Sequence, residues 1–417
     1  MLAKIPVVTT TAVTPRTRAG RRRGALRTLL AARGLRAFAD GFVSLLLPLY
    51  LLEIGLSAFQ VGVIATATLL GSGLLTIFVG RHAARHDDRR LLLAAAALMA
   101  ATGVGFAAFT QFWPLFVVAI VGTLNPSSGD ASVFLPLEHA LLARLAPGRL
   151  RTRWFARYSL VGSLAAAVGA YFAGAPDLLA HALPISLRVA LQSMFVLYGA
   201  FGVAAALAYR RLPPAPPAIA PSTAPPPLRD ARRIVYVLAA LFSLDAFAGG
   251  FIVQSLLALW LFQRFELSTV TAATIFFWTG SLSAFSYLVA ARIAARIGLV
   301  YTMVFTHLPS SVLLILVPFA PDLATAIALL LARSALSQMD VPTRSSFVMA
   351  VVPAHERAAA ASLTSVPRSL AAATSPLFAG YLLGVTAFGW PLIVAGALKI
   401  VYDLLFLALF RRHAATR

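Results

Sequence analysis

Ionisable side chains stand inside apolar runs that have no ordinary use for them. Arg36 and Asp40 are one helical turn apart in the run 31–53. Asn125, Asp130 and Glu138 interrupt 112–142, and Asp245 lies in 234–262. Asp340 and Arg344 are again four residues apart, with Arg333 in the same run 323–352. Arg368 lies in 357–384, and Lys399 and Asp403 form a third such pair in 388–410. In hydrocarbon each charge costs about 3 kcal/mol or more, so it faces a cavity or a partner. The four-residue spacing puts both members of a pair on one helix face, where they can neutralise each other. A carboxyl in a low-dielectric site disfavours its charged form and can load and release a proton. Asp40 and Asp130 are the first candidates for that task, followed by Asp245 and Asp340. Arg36, Asn125, Glu138, Arg344 and Arg368 are candidates for holding a solute or closing a gate. His139 and His307 could relay protons, but a packed histidine is the simpler reading, and no spacing of His and carboxylates suits a metal.

The runs that carry these groups have the length and composition of membrane spans. Sixty per cent of residues are hydrophobic, 12% are charged, and the mean hydropathy is +0.85. Such segments must be helical, because lipid offers a backbone amide no partner outside its own segment. Twelve spans are expected: 31–53, 57–80, 91–110, 112–142, 154–174, 187–208, 234–262, 267–290, 299–319, 323–352, 357–384 and 388–410. The fold class is an all-α integral membrane protein of two pseudo-symmetric six-helix bundles. A net charge of +21 would suggest nucleic acid in a soluble chain. Here the arginines fall in alternate loops, as the positive-inside rule requires, so both termini are expected in the cytoplasm. A bacterial inner membrane is the expected location. With no cysteine there is no disulfide or thiol chemistry. No cleavable signal peptide is expected, and the first span should remain as an anchor.

The expected units are a basic, disordered tail over 1–28, a first bundle over 29–211, a Pro/Ala linker over 212–231, a second bundle over 232–410 and a short tail over 411–417. The tail can touch anionic lipid headgroups, and the proline-rich linker stays extended. Trp113, Trp260 and Trp390 are placed as interfacial belt residues.

The two bundles are one unit written twice. Asn125 to His139, NPSSGDASVFLPLEH, breaks span 4 with polar residues, and Gln338 to Ser346, QMDVPTRSS, breaks span 10. A shift of 206 residues lays Pro136 on Pro342, Ser163 to Ala167 on Ser369 to Ala373, and Phe172-Ala173-Gly174 on Phe378-Ala379-Gly380. A shift of 209 lays Phe38 to Phe42 on Phe247 to Phe251. Arg36 then stands opposite Asp245, and Glu138 opposite Arg344, with the sign of charge inverted at both. Broken helices at corresponding places in two halves point to a solute site.

Twelve spans, two parallel halves, a central linker and a basic loop after span 2 together resemble the major facilitator superfamily. The loop reads Gly80-Arg81-His82-Ala83-Ala84-Arg85-His86-Asp87-Asp88-Arg89-Arg90. Gly80, Arg85, Arg89 and Arg90 fit the family pattern. Ala84 stands where the family has Asp and Asp87 where it has a second Gly, so the motif's gating salt bridge cannot be carried over onto Ala84. Gly129 matches the glycine of span 4 in the family's proton-coupled drug antiporters, with Asn125 at their arginine position. The span 5 antiporter proline is missing.

The resemblance implies secondary transport by alternating access, through a cavity lined by spans 1, 4, 7 and 10. The leading expectation is proton-coupled efflux of a drug or metabolite by a monomer that handles a small-molecule solute, protons and lipid, with no cofactor. The alternatives are a symporter or facilitator for an anionic metabolite, suited by Arg36, Arg333, Arg344 and Arg368, and a non-transporting receptor. Glu138 and Arg344 are expected to meet when the cytoplasmic side closes. No Walker loop, HExxH or GxSxG motif points to an enzyme.

Overall fold

The computed structural model describes residues 15–82, 87–127, 132–146, 150–213, 231–353 and 355–411. The first six spans are α1 (Pro15–Glu53), α2 (Ala58–His82), α3 (Asp88–Ala108), the pair α4 (Phe112–Val121) and α5 (Phe134–Leu145), α6 (Arg151–Phe172) and, after a short α7 (Ala175–Ala182), α8 (Leu187–Arg210). The second six are the pair α9 (Arg232–Gly250) and α10 (Gln254–Phe265), α11 (Thr269–Ile297), α12 (Leu299–Leu316), the pair α13 (Leu323–Ser337) and α14 (Asp340–Val351), α15 (Arg357–Val385) and α16 (Trp390–Phe410). Among the described residues, eight helical runs are long and apolar enough to cross a membrane. Spans 4 and 10 are each built from two shorter helices. Pro136 and Pro342 are both the third residue of the second piece, where a missing N–H costs nothing.

The repeat read in the sequence is also a repeat of packing. A Cβ on Gly41 of α1 would collide with the carbonyl of Ala166 on α6, and a Cβ on Gly250 of α9 with the carbonyl of Ala372 on α15. These are the same two positions in each half. The absent side chain lets spans 1 and 5, and spans 7 and 11, approach backbone to backbone, as small residues do between membrane helices.

Three expectations are corrected. The N-terminal stretch is not an unstructured tail from residue 15 onward, since α1 begins at Pro15. Ala and Leu are strong helix formers, and Leu26 packs with Leu142, Ala146 and Tyr158. Span 7 is broken: α9 stops at Gly250 and α10 starts at Gln254. Two adjacent glycines, Gly249 and Gly250, cost the helix about 1 kcal/mol each there. Trp260 is no belt residue. It is fully buried, and its indole Nε1 donates to the Ala387 carbonyl at 3.1 Å. Gly389 leaves room for that ring in a left-handed conformation, φ +98°, that a side chain would resist. Trp113 and Trp390 are exposed, as expected.

Candidate functional site

A cavity of about 680 Å³ lies between the halves. Its wall includes Arg33 of α1, Thr76 of α2, His139 of α5 and Gly162 of α6, facing Asp245, His307, Arg333, Arg344, Arg368 and Lys399 from the second half. On the side remote from the termini the halves touch. A Cβ on Gly62 of α2 would lie 2.6 Å from the Pro376 carbonyl oxygen and 2.8 Å from the Gly380 Cα of α15. Thr269 at the start of α11 donates to Asp177 of α7. The Ser255 amide donates to the Pro126 carbonyl at 3.1 Å, joining the break of span 7 to that of span 4. From these contacts the cavity runs toward the termini side, reaching Ile77, His139 and Val341.

The inverted charges close pairs within each half. In the first half Arg36 and Glu138 form a buried ion pair. Tyr209 and Tyr158 donate to Glu138, the former at 2.6 Å, and the Arg36 Nε donates to the Tyr209 hydroxyl at 2.9 Å. The Phe134 ring centroid lies 3.9 Å from the Arg36 guanidinium carbon. In the second half Arg344 donates to Asp245 at 2.7 Å and also to Asp340. Phe242 lies 5.2 Å from its guanidinium carbon. Spans 1 and 4 are thus tied by the same two positions that tie spans 7 and 10, with the polarity reversed. With the cavity reaching the termini side, Glu138 and Arg344 are each engaged in their own half.

The second cluster is larger than the first. Lys399 donates to Asp245 at 2.8 Å and lies 3.4 Å from His307 Nε2. His307 Nδ1 is 3.0 Å from both carboxylate oxygens of Asp403. A neutral imidazole satisfies this arrangement, with Nδ1–H donating to Asp403 and Nε2 accepting from Lys399. The i, i+4 pair Lys399/Asp403 is therefore split: Lys399 turns to Asp245, and His307 stands between Lys399 and Asp403. Three carboxylates (Asp245, Asp340, Asp403) thus face Arg344, Lys399 and His307.

The other candidates fall elsewhere. Asp40 is buried beside Arg33, Arg36 and Tyr198, away from the cavity wall. Asn125 is buried and shapes the break of span 4, its Oδ1 accepting from the amide and hydroxyl of Ser127 at 3.0 and 2.9 Å. Asp130 and Arg85 lie outside the described residues. Gly80 lies near the end of α2. Asp87 caps α3 by accepting from the Arg89 amide, and Arg90 is exposed. The loop's working acid is Asp88, which is buried and paired with Arg144 at the end of α5. Asp88 had no signal in the motif, because it sits off the family register.

Arg33 was missed altogether. It is buried against the cavity, its Nε and Nη1 have no hydrogen-bond partner among the described residues, and Tyr158 lies 5.3 Å from its guanidinium carbon. The Nε atoms of Arg333 and Arg368 are likewise buried without a partner among the described residues. A charge near the end of a span reads in sequence as a topology signal, which is why Arg33 did not stand out.

A model of the Major Facilitator Superfamily matches residues 29–337. An uncharacterized membrane protein of Saccharomyces cerevisiae, YJR124C, is 25% identical over 92% of this chain and 94% of its own. Two solved structures share the fold. One is a bacterial homolog of the human lysosomal transporter Spinster, inward-facing and occupied, with TM-score 0.72, 16% identity and 95% and 97% of the two chains covered. The other is the nucleoside transporter NupG, with TM-score 0.69, 13% identity and 93% and 99% covered.

Proposed function

The chain belongs to the Major Facilitator Superfamily and is a membrane transporter; we propose that it moves a small organic anion together with a proton, by alternating access. The observation that carries this is the cluster at the cavity wall, in which Asp245, Asp340 and, behind them, Asp403 share Arg344, Lys399 and His307. One proton brings its formal charge to zero. Asp245, Asp340, His307 and Lys399 all reach the cavity, so the proton can enter and leave with the solute. Loading it makes the cavity more positive and strengthens its hold on an anion. Proton and solute therefore load together. A cationic drug, the solute of the efflux expectation, would find the two cavity carboxylates already bonded to Arg344 and Lys399.

Alternating access needs contacts that make and break. The halves are packed on the side remote from the termini and leave the cavity reaching the other. With the termini in the cytoplasm, this is the inward-open state. Uptake into proteoliposomes under an imposed pH gradient tests the reading, with a panel of organic acids as probes. Asp245→Asn should lower proton-driven flux about tenfold or more, while Asp40→Asn should keep it within about twofold. Flux lost only in Asp40→Asn would move the proton site to α1. Flux that ignores the pH gradient would remove proton coupling.

A further inference from the structure

We infer that the cavity takes a compact organic dianion, with one acidic group on Arg33 of the first half and the other on Arg333 and Arg368 of the second. The inference rests on the transporter reading and names the solute class for it. Of the arginines inside the spans, Arg36 and Arg344 are committed to carboxylates. Arg33, Arg333 and Arg368 line the cavity from α1, α13 and α15, and the Nε of each, with Nη1 of Arg33, is buried without a hydrogen-bond partner among the described residues. A guanidinium cannot discharge itself by losing a proton, and a buried N–H without an acceptor is costly. An occupant bringing oxyanions meets both demands. The planar fork of arginine matches carboxylate and phosphate oxygens two at a time.

The Arg33 side is a built site. The Tyr158 ring packs 5.3 Å from its guanidinium carbon. On α6, Gly162 leaves the space the guanidinium fills: a Cβ there would lie 2.6 Å from Nη2 and 2.8 Å from Cζ. Asp245 and Asp340 do not compete for these arginines, because they are bonded to Arg344 and Lys399, and Asp40, the carboxylate beside Arg33, leaves the Nε and Nη1 of Arg33 unbonded. A volume of about 680 Å³ suits a small metabolite. With its two ends on opposite halves, the dianion bridges them across the cavity, so the loaded carrier can close where the empty one stays open.

The test uses the full chain in lipid nanodiscs and calorimetric titration at constant ionic strength. The probes are succinate, glutarate, phthalate and glycerol 3-phosphate, beside succinamide, phthalamide, glycerol and putrescine. At least one dianion should bind about tenfold or more tightly than its neutral counterpart. Arg33→Gln and Arg333→Gln should each weaken it by about ten- to a hundredfold. Arg33→Lys should recover part of the loss. Gly162→Ala removes no charge and should weaken binding by displacing the Arg33 fork. Thermal unfolding identifies the variants that are folded. The proposal falls if no dianion outbinds its neutral counterpart, if putrescine binds best, or if folded Gln variants bind like wild type. Should a Gln variant not fold, undiminished binding in Gly162→Ala overturns it equally. Proteoliposomes separate the two readings. Dianion binding without movement removes the transporter reading and leaves the clamp. Movement of an amide or of putrescine, without dianion binding, removes the clamp and leaves the transporter.

Discussion

At the scale of the residue, the molecule separates charges that hold it together from charges that work. Glu138 is wholly buried and accepts from Arg36, Tyr158 and Tyr209. Glu138→Gln leaves Arg36 buried without its counter-ion, and losing one partner of a buried pair costs about 3–5 kcal/mol. The expected result is a much lower melting temperature in detergent, with part of it restored when Arg36→Met is added, since removing both charges also removes the unpaired one. A double variant no better than Glu138→Gln would show that the tyrosine network, not the ion pair, carries the stability. Arg33 contrasts with Arg36 only three residues away. Its Nε and Nη1 lack partners among the described residues, so Arg33→Gln should leave the melting temperature nearly unchanged while acting on solute.

At the scale of the element, glycines set how closely the halves approach. Gly62 and Gly380 bring α2 and α15 together on the side remote from the termini. Gly62→Leu must push them apart, which disfavours the state with the cavity reaching the termini side. The chain has no native cysteine, so Thr76→Cys on the cavity wall can be labelled without background. Its reaction with an impermeant maleimide from the termini side should slow several-fold when Gly62→Leu is present. An unchanged rate would mean that the halves part elsewhere. Much of this layer was legible in the sequence. The breaks of spans 4 and 10 announced themselves by polar residues and proline, and the repeat offsets laid Gly41 on Gly250 and Ala166 on Ala372. The break of span 7 was hidden, because Gly249-Gly250 in an apolar run reads equally well as a close-packing surface. The charge pairs were half legible: the offsets set Arg36 against Asp245 and Glu138 against Arg344, but offsets between halves carry no information on which partner each charge bonds within its own half. His307 and Asp403 could not be matched, because α12 and α16 are far apart in sequence and neither carries a motif.

At the scale of the whole molecule, the proposed cargo fixes the charge that moves. One proton taken with a dianion carries one net negative charge across the membrane. An inside-negative potential then opposes entry and favours exit, by about 2.3 kcal/mol per 100 mV. Uptake of the probe into proteoliposomes clamped by potassium and valinomycin should therefore quicken as the interior is made positive. A rate indifferent to potential would mean that two protons travel with each dianion, one more than the cluster of Asp245, Asp340, Asp403, Arg344, Lys399 and His307 needs for neutrality.

The hydrogen bond from the Ser255 amide to the Pro126 carbonyl has backbone at both ends. Side-chain substitution leaves both its donor and its acceptor in place, so drift in the surrounding residues spares it. It joins the break of span 4 to the break of span 7 through main-chain atoms alone. The cavity walls can then change their side chains while this joint keeps its donor and acceptor, whereas Ser255→Pro, which has no amide hydrogen, removes it.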